Sequence, residues 1–560
     1  MILTQEKKNG IQYTPDDLSL FIAQQLKYYF LRENSDSVSN QKLKLLDPAC
    51  GDGNLLLAVQ NVFKDIDYQG YGIDIDQKAI HIAEGKLNHN NFKLFSADYL
   101  SLIENVENVN LFNQPNSLNN EINNIDLIIA NPPYIRTSIL GAERSQHLAK
   151  LFNLSGKVDM YHVFLKAMTN TLKDNGILCV ITSNKYLTNK SGKNIRDFLS
   201  DNFKILNIID LGDTKPFSAA VLPAIFIGKK KKHSDNSSVP FTRVYESASS
   251  AKSTDSIDKL STLLKEKNGI HSYKGHSFKV TSGLLDASVS DTPWNMATFA
   301  EKEWVTKLEK NAHKKFGDVF DVHVGIKTTA DNVFIKKNWK DLDTNIRPEK
   351  EVLHPLVSSK TIERWQTHPD NLNTILYTHT IKNGKRIPID FYKYPHAYNY
   401  LLEHKQQLAG RSYIKKAKRK WYEIWVPQQP EQLANNKVIF PDISQQAKFV
   451  YDDKGYYVDG NCYWLTTKND VSNNYLLLAT GVANSSIMEK YYNIKFQNVL
   501  YSGRKRYLTQ YVKNYLLPDI NNKHSQKIIK LVKMICKNPN DTKKLEKSIN
   551  SEVQLAFNMQ

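Results

Sequence analysis

The chain has 560 residues, with 75 Lys and Arg against 57 Asp and Glu, a formal net charge of +18 and a sequence pI near 9.3. That length exceeds one ordinary core and fits two to four domains, and the basic excess points to a polyanionic partner, nucleic acid first. Four scattered cysteines (Cys50, Cys179, Cys462, Cys536) suggest neither a disulfide framework nor a zinc site, the first residues lack a signal peptide's apolar core, and no run is long enough to span a membrane; a cytoplasmic protein without bound metal is expected.

In chain order, Thr14 and Pro15 precede two acids and an apolar-periodic stretch over 18–26, which predicts a helix with Thr14 as N-cap and Pro15 in the first turn. A short strand over 43–46 feeds Asp47-Pro48-Ala49-Cys50-Gly51-Asp52-Gly53, and 55–59 opens a helix behind it. Strand, glycine turn and helix make the first βα unit of a nucleotide-binding sheet. The spacing matches neither the dinucleotide fingerprint nor a phosphate loop, and Asp47 ahead of the turn favours a ligand with a cationic ammonium group, such as S-adenosylmethionine. The next strand, 68–73, ends at Asp74, placed to take both hydroxyls of a ribose, with Asp76 falling later toward the next helix. After 92–95 comes Asp98, suited to accept an adenine amino group. Singly, each Asp is more often a cap or turn residue; three successive strand ends carrying one make a site. Residues 105–124 are polar and Asn-rich, a loop without function.

Residues 125–130 are apolar at nearly every position after Asp126, a buried central strand, and they stop at Asn131-Pro132-Pro133-Tyr134 because proline cannot continue a ladder. This leaves an amide, fixed carbonyls and an aromatic ring at a strand's carboxyl end, where open α/β sheets bind ligands. An exocyclic amine on a conjugated ring is a poor nucleophile. The Asn131 side-chain oxygen and the Pro132 carbonyl can each accept one of its N–H groups and free the lone pair, while Tyr134 offers a face for stacking.

The set formed by Tyr13-Thr14-Pro15, Asp47-Pro48-Ala49-Cys50-Gly51-Asp52-Gly53, the acidic strand ends and Asn131-Pro132-Pro133-Tyr134 resembles the γ-class N6-adenine DNA methyltransferases, the TaqI-type group of restriction-modification methylases. The resemblance implies that Thr14, Asp47, Ala49, Gly51, Asp74 and Asp98 line S-adenosylmethionine, and that Asn131, Pro132 and Tyr134 hold a flipped adenine. It also implies a second stacking ring at Phe217, in the Asp213-Thr214-Lys215-Pro216-Phe217 loop; a core Phe is the competing reading. Residues 158–165 read as an amphipathic helix of the scaffold, with His162 a packing residue. A turn at 173–176 then leads to a strand at 177–182, and closing strands follow at 205–211 and 221–228. Arg136, next to the tetrapeptide, is a candidate for flanking phosphates.

The lysine run 229–232 and the Ser-rich stretches 234–238 and 247–256 suggest a domain boundary, placed after residue 245. The second part, 246–560, resembles more loosely a TaqI-type specificity domain, through 325–334, 353–357, 362–365, 408–411 and 455–464. Within it Lys415, Lys416 and Arg419 interleave with Trp421 and other rings, and Arg504 and Arg506 have similar character; these are candidate DNA contacts, set against a solvated charged face. The expected fold is α/β: a Rossmann-like methyltransferase sheet with helices on both faces over 1–245, then a separate α+β recognition domain. The implied activity is methylation of adenine N6 in a short sequence of double-stranded DNA, within a restriction-modification system or as an orphan methylase. The alternatives are an amino-methyltransferase of cytosine N4, an rRNA base or a protein glutamine, and a non-catalytic specificity module. Whether a separate endonuclease accompanies the chain stays open.

Overall fold

The computed structural model describes residues 13–34, 42–107, 121–135, 137–154, 158–189, 192–217, 221–247, 256–469, 471–497, 500, 503–538 and 541–559. Arg136, most of the Asn-rich stretch 105–124 and most of 247–256 lie outside these residues. The chain divides into two compact units, one of Met1–Glu301 with Asn498–Gly503, the other of Lys302–Gln497 with Arg504–Gln560.

The first unit is built on an eleven-stranded sheet, in the order β3-β2-β1-β4-β5-β7-β6-β8-β11-β10-β9, where β9 is Ser256–Ile257 and β10 is Gly269–Tyr273. Its parallel half comprises β1 (Leu43–Asp47), β2 (Tyr68–Asp74), β3 (Phe92–Ser96), β4 (Ile125–Ala130) and β5 (Leu172–Ser183). β7 (Pro223–Lys230) lies antiparallel between β5 and β6 (Phe203–Asp210). The apolar runs of the central strands follow from burial on both faces. Leu127 and Ile129 of β4 point to a core shared with α1 (Asp16–Glu33) and α2 (Asn54–Val62). Ile128 and Ala130 point to the opposite core, shared with α4 (Tyr99–Glu107) and α6 (Met160–Thr171). Two further helices, α3 (Gln77–Lys86) and α5 (Ala142–Leu151), follow β2 and β4.

The turn expected at 173–176 lies within the span of β5 as an excursion from the ladder: Ile125 pairs with Leu172 and Leu127 with Ile177, and Asn175 has φ 65°. Two expectations are corrected. The helix α1 begins at Asp16 with Pro15 at the N-cap and no side-chain cap, so Thr14 is not the capping residue. The boundary expected after residue 245 falls inside the first sheet: β8 (Val239–Glu246) pairs in parallel with β6 and antiparallel with β11 (His276–Leu285), so the sheet runs on well past residue 245.

The second unit has the expected α+β character. One four-stranded antiparallel sheet joins Phe320–Val324, Cys462–Thr467, Lys437–Pro441 and Val450–Asp452. A second four-stranded sheet, mixed, joins Ile335–Lys336, Asn373–Leu376 and Leu353–Val357 in antiparallel pairs and adds Tyr457–Val458 in parallel with Leu353–Val357. Trp464, Tyr377, Tyr400 and Leu356 are buried in its core. The amphipathic segment near the C-terminus forms the helix Lys523–Lys537, which buries Ile528, Ile529 and Val532.

Candidate active site

The carboxyl ends of β1, β2, β3 and β4 converge on a cavity of about 600 Å³. The structure brings Thr14, Ala49, Gly51, Asp74, Asp98 and Asn131 together on its wall, with Cys50, Pro133 and Ile135. The β1–α2 turn reaches it through two left-handed glycines, Gly51 (φ 52°) and Gly53 (φ 83°). A Cβ on Gly51 would lie 3.0 Å from the Tyr13 ring, and one on Gly53 would lie 2.9 Å from the Ala83 Cβ; the turn requires residues without side chains here. Lys86 of α3 fixes the same turn, donating to Asp52 at 2.6 Å and to the Asn54 side-chain oxygen at 2.9 Å.

The acids form a graded set. Asp47 is fully buried behind the turn; its Oδ1 accepts the Ala49 N–H at 3.1 Å, and its Oδ2 makes no hydrogen bond. Burial pushes its carboxyl up to about 8. Asp74 closes β2 and accepts the N–H groups of Gly51 (2.8 Å) and Asp76 (2.9 Å); burial raises it as well. Asp76 instead caps α3 through Lys78 N. Asp98 accepts from Leu100 N at 3.1 Å and the Ser101 hydroxyl at 2.7 Å, with the Arg144 guanidinium 3.5 Å away. A buried carboxyl oxygen without a partner, beside a turn held open by glycines, suits a cationic ligand, which favours the ionised form. S-adenosylmethionine, with its ammonium and sulfonium groups, fits this donor set.

Asn131 and Pro132 follow β4 directly. The Asn131 amide donates from Nδ2 to the Thr14 hydroxyl at 3.1 Å, which directs the Oδ1 end away from Thr14. Thr14 is itself buried, and its carbonyl accepts from the Asn54 amide at 3.2 Å. Tyr134 is half-buried, its hydroxyl makes no hydrogen bond, and burial raises its phenol. Phe217 is buried and its ring centroid lies 5.8 Å from that of Tyr134, the planes tilted by 47°. Phe217 packs in the core, as the competing reading has it, with Tyr134 beside it at the core's edge. Cys50 lines the cavity, but burial and the nearby Asp47 and Asp74 hold its thiol well above its ordinary range, so it supplies no thiolate. Burial pushes His162 down to about 4, and it stands edge-on to the Tyr161 ring at 4.3 Å, as a packing residue does.

The sequence reading missed Ile75, Arg144, Met160 and Phe164 as wall residues. Ile75 is 77% exposed between two acids, and an apolar residue in that position was a usable signal. Met160 and Phe164 are one helical turn apart on α6, and that spacing reads equally well as scaffold.

In the second unit, Lys415 and Lys416 are exposed on the short helix Ser412–Lys416. Arg419 turns inward, donating to the Trp425 carbonyl at 2.6 Å and lying 4.9 Å over that ring. Trp421 is half-buried against the core. Arg504 is exposed, and Arg506 pairs with Asp442 at 3.3 Å. Among the described residues, no group of three or more His, Cys, Asp or Glu is placed to hold a metal ion.

The strand order and the acidic, glycine-cradled cavity at the strand ends define a methyltransferase fold of the S-adenosylmethionine-dependent class. Residues 68–217 match the Eco57I restriction-modification methylase family, and 379–518 match the TaqI-like C-terminal specificity domain. The chain is 44% identical to the Type II methyltransferase M.BanIII of Aneurinibacillus aneurinilyticus, over 100% of this chain and 98% of that protein. It is 25% identical to the Type II methyltransferase M.BstVI of Geobacillus stearothermophilus, over 86% of this chain and 85% of that protein. In fold it is similar to the protein of a DrdV–DNA complex, with a TM-score of 0.53 at 11% identity, covering 95% of this chain and 57% of that one. The chain belongs to the γ-class, Eco57I/TaqI-type family of Type II DNA methyltransferases.

Proposed function

We propose that Asn131, Pro132 and Tyr134 carry the methyl transfer of this family, and that Thr14, Asp47, Ala49, Gly51, Asp74 and Asp98 hold its S-adenosylmethionine. The chain is a site-specific adenine DNA methyltransferase of the restriction-modification type. The observation that carries the residue assignment is that Asn131, oriented by Thr14, stands on the wall of the acidic cavity.

The chemistry asks three things of the chain. The target base must leave the stack, at a cost of a few kcal/mol, and Tyr134 gives it a face to rest on. Its N6 must then be made nucleophilic. Asn131 Oδ1 and the Pro132 carbonyl accept its two N–H groups, drawing the nitrogen toward sp3 geometry and localising its lone pair. Both acceptors are held in advance, the first by Thr14 and the second by the fixed φ of proline, so little reorganisation is needed in the transition state. Third, the amine must meet its electrophile: when bound, S-adenosylmethionine supplies a methyl carbon made electrophilic by its sulfonium. Asp47 complements the cofactor's ammonium, Asp74 the ribose and Asp98 the adenine amino group.

In the second unit, the exposed Lys415 and Lys416 are kept as DNA contacts, whereas Arg419, Arg506 and Trp421 are engaged within the unit; Arg504 is kept on its charge and exposure. DNA and cofactor as substrates support a cytoplasmic location; among the described residues no helix is long and apolar enough to cross a membrane.

The test is incubation of the purified chain with unmethylated DNA and methyl-labelled cofactor, followed by single-molecule sequencing. N6-methyladenine in one short motif is expected, and label on cytosine overturns the target. Asn131→Ala is expected to abolish transfer while DNA binding persists; parallel loss of both overturns the role given to Asn131.

A further inference from the structure

Residues 379–388 form a two-strand ribbon, His379–Lys382 antiparallel to Lys385–Pro388, that joins neither four-stranded sheet of its unit. Asn383 and Gly384 close it with φ of 51° and 69°, the two left-handed residues of a tight Asn-Gly hairpin turn. Opposed residues of an antiparallel pair share a face. The register therefore puts His379, Ile381 and Arg386 on one side, and Thr380, Lys382 and Lys385 on the other.

The first side is anchored. His379 is buried, 3.5 Å from the Glu423 carboxylate. Arg386 donates to the Gln428 carbonyl at 2.9 Å, and Thr378, at the ribbon's root, donates to the Tyr422 carbonyl at 3.1 Å. On the other side Thr380, Lys382 and Lys385 are exposed, and a Cβ on Gly384 at the tip would meet nothing within 4 Å.

The segment that holds the root adjoins the lysine run, since Lys420 N donates to Glu423 Oε1 at 2.8 Å. The two arginines nearby, Arg411 and Arg419, are turned onto backbone carbonyls, whereas Lys415, Lys416, Lys418 and Lys420 are exposed. Lysine is a point charge that grips phosphate without reading sequence. Lys382 and Lys385 sit directly opposite each other, a like-charge pair that weakens a ribbon standing alone and is relieved by a polyanion laid over it. A two-stranded ribbon is of a width that the major groove of DNA admits, and Thr and Asn are side chains that contact base edges there.

We propose that the 379–388 ribbon enters the major groove of the target DNA and contributes to reading its sequence through Thr380 and Asn383, while Lys415, Lys416, Lys418 and Lys420 hold the backbone beside it. The proposal rests on DNA as the substrate, not on the assignment of Asn131.

The test uses the full chain and no methyl transfer. A randomised duplex pool selected on the unmodified protein supplies the preferred sequence, and affinities for that duplex and a scrambled one are then measured over a range of salt. Thr380→Ala/Asn383→Gly removes both proposed base contacts while glycine keeps the left-handed turn, and is expected to lose tenfold or more of the discrimination between the two duplexes, with cofactor binding and thermal unfolding unchanged. Replacing the four lysines of the 415–420 run by Gln is expected to weaken both duplexes alike, and to flatten log K against log[salt] by about 0.9 for each phosphate no longer neutralised. If the ribbon variant binds both duplexes as the unmodified chain does, or weakens both equally with discrimination intact, the groove assignment is overturned: the lysines then guard an exposed edge or grip a further phosphate. Failure of the Asn131 reading removes methylation and leaves this comparison standing.

Discussion

The Asn131 amide and the Thr14 hydroxyl, 117 residues apart in sequence, meet at 3.1 Å in the site. On the proposed assignment of Asn131, the segment before α1 thereby sets which end of the amide faces the substrate. Thr14→Val keeps the shape and removes the acceptor. Methyl transfer in a single turnover is expected to slow about five- to tenfold, the roughly 1 kcal/mol of a net hydrogen bond, while Thr14→Ser stays close to the unmodified rate. Cofactor affinity, measured alongside, separates the two roles open to Thr14. Weaker cofactor binding with an unchanged transfer rate would make it a cofactor ligand and nothing more.

Asp47 gives the cofactor-free protein a pH dependence whose sign is fixed. Its carboxyl ordinarily titrates near 4 and in the fold is pushed up to about 8 by burial. Between those values the unfolded chain has released the proton and the native chain retains it, so raising the pH costs native stability until about 8, where the effect levels off. Cofactor affinity runs the other way. The ammonium needs the carboxylate, so binding tightens with rising pH, by at most about tenfold per unit, and flattens above 8. Calorimetry at pH 6.5 in two buffers of different ionisation enthalpy should show proton release on binding. Asp47→Asn should bind more weakly, show no such release, and lose the matching slope of unfolding temperature against pH.

Phe217 is held from a distance. Asp210, fully buried, accepts from Asn184 (3.0 Å), Tyr245 (2.9 Å) and the N–H of Gly212 (3.1 Å), and so fixes the turn that leads to the ring. Gly212 has φ 50°, and a Cβ there would lie 2.0 Å from the Val244 carbonyl oxygen. Gly212→Ala must displace either the turn or β8, at a cost of about 2 kcal/mol or more. The expected result is lower stability with slower transfer and nearly unchanged cofactor affinity. An unaltered transfer rate in a folded variant would mean that Phe217 serves packing alone.

What the sequence made legible was chemistry at strand ends. Asp47, Asp74, Asp98 and Asn131 each end or follow a short apolar run, and a parallel sheet with both faces covered brings such ends to one edge. The boundary after 245 was misread because polar loops between strands of one sheet have the same composition as linkers between domains. Only pairing shows that β8 and β11 extend the first sheet. Thr14 was misread for a related reason: Ser or Thr before a helix is usually a cap, and nothing local reveals that its hydroxyl is taken by a residue on β4's far end. Arg419 and Trp421 belong to a basic, aromatic stretch, yet tertiary packing decides which of its members face outward.

Tyr134 tests whether the ring or the hydroxyl matters. Its hydroxyl makes no hydrogen bond, and burial holds the phenol in its neutral form, above its ordinary range. A group so placed has no proton to exchange near neutral pH, which leaves the face of the ring as its contribution. Tyr134→Phe should therefore transfer methyl groups within about threefold of the unmodified rate, and it relieves the cost of burying an unpartnered hydroxyl, so a small gain in stability is expected. Tyr134→Ala removes the stacking surface, and base–aromatic stacking contributes about 1–3 kcal/mol per base. That predicts a loss of roughly five- to 150-fold in transfer, with a weaker fluorescence change from 2-aminopurine placed at the target position as the base spends less time out of the duplex. A Phe variant as impaired as the Ala variant would place the hydroxyl in the reaction and overturn the stacking role.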